Sequence, residues 1–217
     1  MSASVISVNV GRPVAVEWLG PPGRTSISKH PMSGRVPVET LGLDGDQVSD
    51  TKFHGGADMA VYAFAREDLD LWAERLAADI PNGHFGENLT TSGIDVNEAL
   101  IGERWRIGTA EFELADVRIP CRTFDRWMRQ TGYHVDKWIK RFAVEARPGP
   151  LLRVIQPGEV AAGDELTVIS KPDHDVTVTV MFKALTTDRS LLPRLFEVGD
   201  TLAAGPREAA EKYAART

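Results

Sequence analysis

The sequence predicts a mainly β protein: a β-barrel with helical insertions, followed by a small helical module. Strand-like segments outnumber helical ones over residues 1–170. They come as hairpin-like pairs and not in strand–helix alternation, which disfavours a doubly wound parallel sheet. Helical periodicity dominates only after a polar break at "KPDHD", 171–175. The expected division is therefore 1–171 for the β domain and 172–217 for the helical module. With 217 residues, 42% of them hydrophobic and 26% charged, the chain can build a sizeable core.

Each element has its own signal. "SVISVNV" (4–10) alternates and is rich in β-branched residues; "PVAVEWLG" repeats the pattern and "PPG" closes it with a turn. "TSISK" and "RVPVETLGL" are expected to be two further strands. "DGDQVSDTKFHGGAD" (44–58) has no sustained period and reads as a long loop, the kind that is usually functional in a compact domain. Leu69, Trp72, Ala73, Leu76 and Ile80 share one helical face, and Pro81 is expected to end that helix. "FGENLTT" leads into "ALIGERWRIGTAEFELADVRI", a strand–turn–strand in which Phe112 and Leu114 share a face.

Two helical stripes follow, Phe124, Trp127 and Met128, then Val135, Trp138, Ile139 and Phe142, separated by Gly132. "LLRVIQPGEVAAGDELTVIS" returns to strands, with turns at "PGE" and "AGD". "VTVTVMF" alternates like a strand among helical neighbours, and is expected to enter extended and become helical. Leu191, Leu192, Leu195 and Phe196, then Ala209, Ala210, Tyr213 and Ala214, predict short helices, with Pro206 after Gly205 opening the last.

Composition excludes several functions. A formal charge of −6 argues against a general nucleic-acid binder. The N-terminus lacks the basic and apolar regions of a signal peptide, and no window approaches 18 uninterrupted apolar residues, so no membrane partner is expected. A single cysteine allows neither an internal disulfide nor a Cys-pair zinc site, and suggests a cytoplasmic location. G-x-x-x-x-G-K-[ST], G-x-G-x-x-G after a strand, and G-x-S-x-G are all missing.

The candidate chemistry starts at that cysteine. In "ADVRIPCRTF" (115–124), Arg118 and Arg122 flank Cys121, and positive charge favours the reactive thiolate. Positions three apart on a strand face opposite ways, so Arg118 helps only if the chain bends, as Pro120 suggests. On these residues alone, a buried structural thiol and a functional one both stay open. In "FHGGAD" (53–58), Gly55 and Gly56 let backbone approach a ligand or form an anion nest, with His54 and Asp58 adding acid–base capacity. A plain turn explains them too. Asn88, after Glu87 in "FGENLT", offers the donor and acceptor that suit a heterocycle edge, or caps a turn. Lys29 and Arg35 could meet a phosphate or be surface charge.

The order of "GLDGD", "FHGGAD", "AVYAF", "FGENLTT", "GIDV", "IGERWRIG", "RIPC" and "LLRVIQPGEVAAGD" resembles the MOSC family, whose domains also end molybdenum cofactor sulfurases. Within it, the chain is similar to the stand-alone bacterial branch associated with resistance to 6-N-hydroxylaminopurine. The likeness runs from about Ser26 to Ser170, and the tail resembles a three-helix module that often follows. It implies a closed β-barrel, of the pyruvate-kinase-barrel kind, that binds a molybdopterin-type molybdenum cofactor. Cys121 becomes the metal ligand and a catalytic residue, and His54 the proton donor. Lys29, Gly55, Gly56, Asn88 and Arg118 become cofactor-pocket residues, with Asp46 a further candidate.

The implied activity is an oxidoreductase that reduces N-hydroxylated small molecules to amines, fed by a partner reductase. The alternative is a non-enzymic carrier of the cofactor or of persulfide sulfur on Cys121. Three positions depart from the family pattern and bear on substrate preference. Met59 replaces a common lysine, Val117 a common proline, and the stretch around Leu151 lacks a common aromatic residue.

Overall fold

Alternation at positions 4–10 forms strand β1 (Ser4–Val10), with Val5 and Val8 fully buried. The molecule is a computed structural model that describes residues 2–20, 23–51, 54–133 and 135–216. The next strands are shorter than expected: β2 (Val14–Ala15), β3 (Arg24–Thr25), β4 (His30–Pro31), β5 (Val36–Glu39) and β6 (Gly42–Leu43). Pro13, Pro31 and Pro37 have no N–H to extend a ladder, so each pairing stays brief. Two residues of the expected "PPG" turn, Pro21 and Pro22, lie outside the described residues, as do Lys52 and Phe53 of the long loop.

Strand β7 (Val61–Ala65) is buried at every position, as a strand covered on both faces should be. Helix α1 (Arg66–Leu76) then carries the chain over to β8 (Leu89–Ser92), which pairs parallel with β7. This is the strand–helix–strand unit that the hairpin reading did not expect. Helix α1 also stops earlier than Pro81. Ala77 turns left-handed (φ 49°, ψ 42°), and its N–H bonds back to Ala73 and Glu74, leaving Ile80 buried outside the helix.

Strands β9 (Arg104–Ile107) and β10 (Ala110–Val117) form a hairpin, followed by α2 (Arg122–Gln130) and α3 (Trp138–Glu145). Strands β11 (Pro150–Gln156), β12 (Gly158–Val160) and β13 (Leu166–Ser170) return to the sheet, and α4 (Val178–Leu185) and α5 (Ala204–Ala214) flank a 3-10 segment, Arg189–Thr201. The main sheet is mixed and eight-stranded, in the order β13-β9-β10-β11-β7-β8-β1-β4. A three-stranded sheet, β12-β5-β6, and a two-stranded one, β2-β3, complete the β structure among the described residues.

The expectation of a closed barrel is not met, because the ladder stays open. Strand β1 meets the start of β13 only through the Ser4–Glu165 bridge and a few hydrogen bonds, such as Val5 N–H to Asp164 O at 2.9 Å. On its other half β1 pairs with β4, where Pro31 cannot donate onward.

The helices cover an aromatic core. Trp72 of α1 lies 4.7 Å from Trp138 of α3 between ring centroids, and Phe124 of α2 lies 5.3 Å from Trp138. The ambiguous "VTVTVMF" segment does enter extended. Val176 O accepts from Ile101 N–H at 3.0 Å, and Thr177 then caps α4 by accepting from Val180 N–H. Phe182 of α4 packs 6.2 Å from Phe142, so the buried core continues across Lys171. Among the described residues, no helix is long and apolar enough to cross a membrane.

Candidate functional site

Loops at the ends of these strands surround a cavity of about 640 Å³. Its wall includes Lys29, Asp46, His54, Gly55, Arg118 and Cys121, drawn from separate stretches of the sequence. The bend that Pro120 suggests is what joins the last two. Strand β10 ends at Val117, residues 118–120 belong to no element, and Cys121 opens α2 as its N-cap. Arg118 and Cys121 therefore both reach the cavity, which a straight strand would prevent. Arg122 begins the helix, is exposed, and lies outside the lining, so the second flanking arginine plays no part here.

The thiol is partly buried, and burial alone would push its pKa up. A hydrogen bond with His54, the charge of Arg118 and the Phe124 backbone amide outweigh that and bring it down to about 7. Arg118 itself is notable for what it lacks. Its guanidinium lies 5.7 Å from the Tyr62 ring centroid, a cation–π distance, while its buried Nε has no hydrogen-bond partner among the described residues. Among the described residues no carboxylate pairs with it.

Lys29 is paired: its Nζ lies 2.5 Å from Asp46 Oδ1. Burial lowers the lysine's pKa, and Asp46 opposes that shift. Asp46 is fixed in turn by Gly11 N–H at 2.8 Å and Asn88 Nδ2 at 3.0 Å. Asn88 lines the cavity, yet its amide is already committed. Its Oδ1 accepts from Tyr62 N–H at 3.0 Å, and its Nδ2 also donates to Asn9 O at 3.2 Å. It braces the wall rather than presenting a free edge.

Gly55 reaches the wall at φ 82°, and a Cβ there would lie 3.3 Å from a Val48 methyl carbon. Gly56 is exposed and outside the lining; at φ 84°, ψ 174° it occupies a region open essentially to glycine alone. With φ positive at both glycines the pair does not alternate between αR and αL, which is the form of nest that cradles an anion. Asp58 turns to Arg153, and Arg35 pairs at the surface with Asp164 and Glu159. Glu87 is fully buried and accepts from Gly83 N–H, Phe85 N–H and Thr90 Oγ1. Even so, burial raises its carboxyl pKa to about 7.

Of the three departures, Met59 and Leu151 line the cavity, whereas Val117 is buried outside it. The sequence reading missed Tyr62 beneath Arg118, and the hydroxyl pair Ser26–Ser49, 2.5 Å apart on the wall. Tyr62 sits in an apolar run that reads only as core, so its position carried no signal. Among the described residues, no group of three or more His, Cys, Asp and Glu side chains could hold a metal ion.

Residues 50–167 match the MOSC domain. The chain belongs to the MOSC family. It is 32% identical over 164 residues to Protein YiiM of Escherichia coli strain K12, covering 73% of this chain and 70% of that protein. It is 25% identical over 176 residues to a protein named Reductase from Gibberella moniliformis, covering 77% of this chain but only 29% of that protein. The crystal structure of YiiM from Geobacillus stearothermophilus has the same fold, with a TM-score of 0.77 at 22% identity, covering 97% of this chain and 98% of that one.

Proposed function

We propose that this MOSC protein is a molybdenum-cofactor-dependent reductase of N-hydroxylated compounds, such as 6-N-hydroxylaminopurine. The observation that carries the proposal is the Cys121 thiol, lowered to about 7, sharing a cavity with a buried Arg118 Nε that has no hydrogen-bond partner among the described residues. A buried donor without a partner costs free energy until a ligand takes its hydrogen bond.

The residues fit the cofactor on chemical grounds. A thiolate suits a soft metal centre. Among the described residues nothing else around Cys121 forms a metal-binding cluster. A metal there would take one protein ligand and arrive with the rest of its coordination, as a dithiolene-bearing cofactor does. A cavity of about 640 Å³ lies within the usual range for small-molecule sites. Cys121 would hold the metal, while Arg118 and Lys29 would hold the pterin's phosphate.

When bound, the cofactor supplies the two electrons that, with two protons, convert R–NHOH to R–NH2 and water. The chain's own part is orientation and proton handling. His54, hydrogen-bonded to Cys121, would pass a ring proton to the departing oxygen. Met59 and Leu151 give the wall apolar surface against which a flat heterocycle can lie. A partner reductase would return the electrons, and the fungal relative's printed name is in keeping with this class of reaction.

The test is metal and pterin analysis of the wild type and Cys121→Ala, both made in a host that synthesises the cofactor. Wild type is expected to hold molybdenum and pterin in equal amounts and to reduce 6-N-hydroxylaminopurine with an artificial donor. Cys121→Ala should hold little molybdenum. A loaded wild type without turnover rejects this substrate class. A Cys121 adduct of one sulfur atom, without molybdenum, supports the carrier alternative.

A further inference from the structure

An arginine side chain is long and flexible, and one that is buried is usually held by a carboxylate. Arg118 has a buried Nε in the cavity wall and no carboxylate partner among the described residues. What lies against it is Tyr62 of β7, whose ring centroid is 5.7 Å from the guanidinium carbon. An aromatic face attracts a cation through its quadrupole but brings no counter-charge. A carboxylate in the same place would hold the arginine and cancel it.

The ring is itself fixed from several sides. Its hydroxyl donates to Pro148 O at 2.7 Å, and the Phe64 ring meets it edge-on with centroids 6.1 Å apart. Gly149, at φ 71°, comes so close that a Cβ there would lie 3.2 Å from Tyr62 Cε2. Gly149 O also accepts from the Arg118 backbone N–H at 3.4 Å, which continues the β10–β11 pairing beyond Val117 and Pro150. Residues 148 and 149 thus hold both the backbone of Arg118 and the ring against its guanidinium. Buried Asn97 pins them in turn: its Oδ1 accepts from Gly149 N–H at 3.0 Å, and its Nδ2 donates to Asp68 Oδ2 at 2.7 Å. Burial raises the Tyr62 phenol well above its ordinary 10.0, so it stays neutral beside the arginine.

We propose that Tyr62 is a positioning residue for Arg118, its ring holding the guanidinium at the cavity wall while leaving the positive charge uncancelled for an incoming phosphate. The proposal rests on the reading of Arg118 as an anion-binding group, and on no bound cofactor.

The experiment uses the cofactor-free 217-residue chain and two readouts. One is the NMR resonance of the Arg118 Nε–H, assigned by its disappearance in Arg118→Gln; the other is the affinity for inorganic phosphate. In the wild type the face of the ring should shift that resonance upfield. Tyr62→Leu should move it back towards the ordinary arginine position and weaken phosphate binding roughly five-fold or more. Tyr62→Phe keeps the ring between Gly149 and Phe64, and should retain the shifted resonance and most of the affinity.

A folded Tyr62→Leu with the wild-type resonance and affinity overturns the proposal, as does a Tyr62→Phe that loses both as fully as Tyr62→Leu. If Tyr62→Leu does not fold, the wild type still decides, because an Nε–H at the ordinary arginine position rejects the ring as its holder. Arg118→Gln separates the two layers of argument. If it binds phosphate as well as the wild type does, the anion-binding reading of Arg118 fails. If it loses phosphate while Tyr62→Leu does not, only the positioning role falls.

Discussion

Arg118 is the residue on which the electrostatics of the cavity turn. The other lining cations among the described residues are engaged elsewhere: Lys29 holds Asp46, and Arg24 donates to Pro13 O at 3.2 Å. Among the described residues Arg118 has no carboxylate partner and lies over the face of Tyr62, so its charge acts on Cys121. Replacing it by Gln removes positive charge from beside the thiolate, and the thiol's pKa must then rise from about 7 towards its ordinary 9.0. The pH profile of alkylation should shift upward in Arg118→Gln, and phosphate should no longer slow the reaction by occupying the cavity. A profile unchanged from wild type would contradict the assignment. Much of this was legible, since Arg118, Pro120 and Cys121 lie together in one short stretch. That Arg122 points elsewhere was not, because a helix begins at that residue and sequence spacing does not give its direction. Nor could the sequence tell that Asn88 would spend its amide on Tyr62, Asn9 and Asp46, since those partners meet only through the fold.

At the level of elements, periodicity placed the helices well and their ends less well. Helix α1 presents Leu69 and Trp72 to the core as the spacing predicts, but it stops at Leu76, not at Pro81. Its end is set by Ala77, which is exposed and left-handed. That conformation crowds a Cβ and usually belongs to glycine. Ala77→Gly should therefore stabilise the protein by up to about 1 kcal/mol, the relief of crowding being partly offset by glycine's greater freedom when unfolded. Thermal unfolding would show it as a raised midpoint, and a lowered one would mean that the alanine is not strained. Proline had the opposite influence on the strands: it cut residues 14–43 into two- and four-residue pieces that alternation alone reads as longer strands.

Across the whole molecule, the break at "KPDHD" marks a change of secondary structure without a break in the core. Val176, Val178, Met181 and Phe182 are fully buried in the same cluster as Trp138 and Phe142. The segment that bears them also completes backbone pairing: Ile101 N–H donates to Val176 O, and Val178 N–H donates to Ala99 O at 3.0 Å. Cutting the chain after Lys171 would expose several large side chains, each worth about 1.5–3 kcal/mol of burial. It would also orphan those backbone groups. The sum is comparable to the whole stability of a typical domain, about 5–15 kcal/mol. Residues 1–171 alone should therefore lack a cooperative melt. A cut after Ala203, which removes little buried surface beyond Pro206 and Ala210 of α5, should leave one. If residues 1–171 instead unfold cooperatively near the full-length midpoint, the helical segment is a separate domain, and Phe182 adds nothing to the core that Phe142 belongs to.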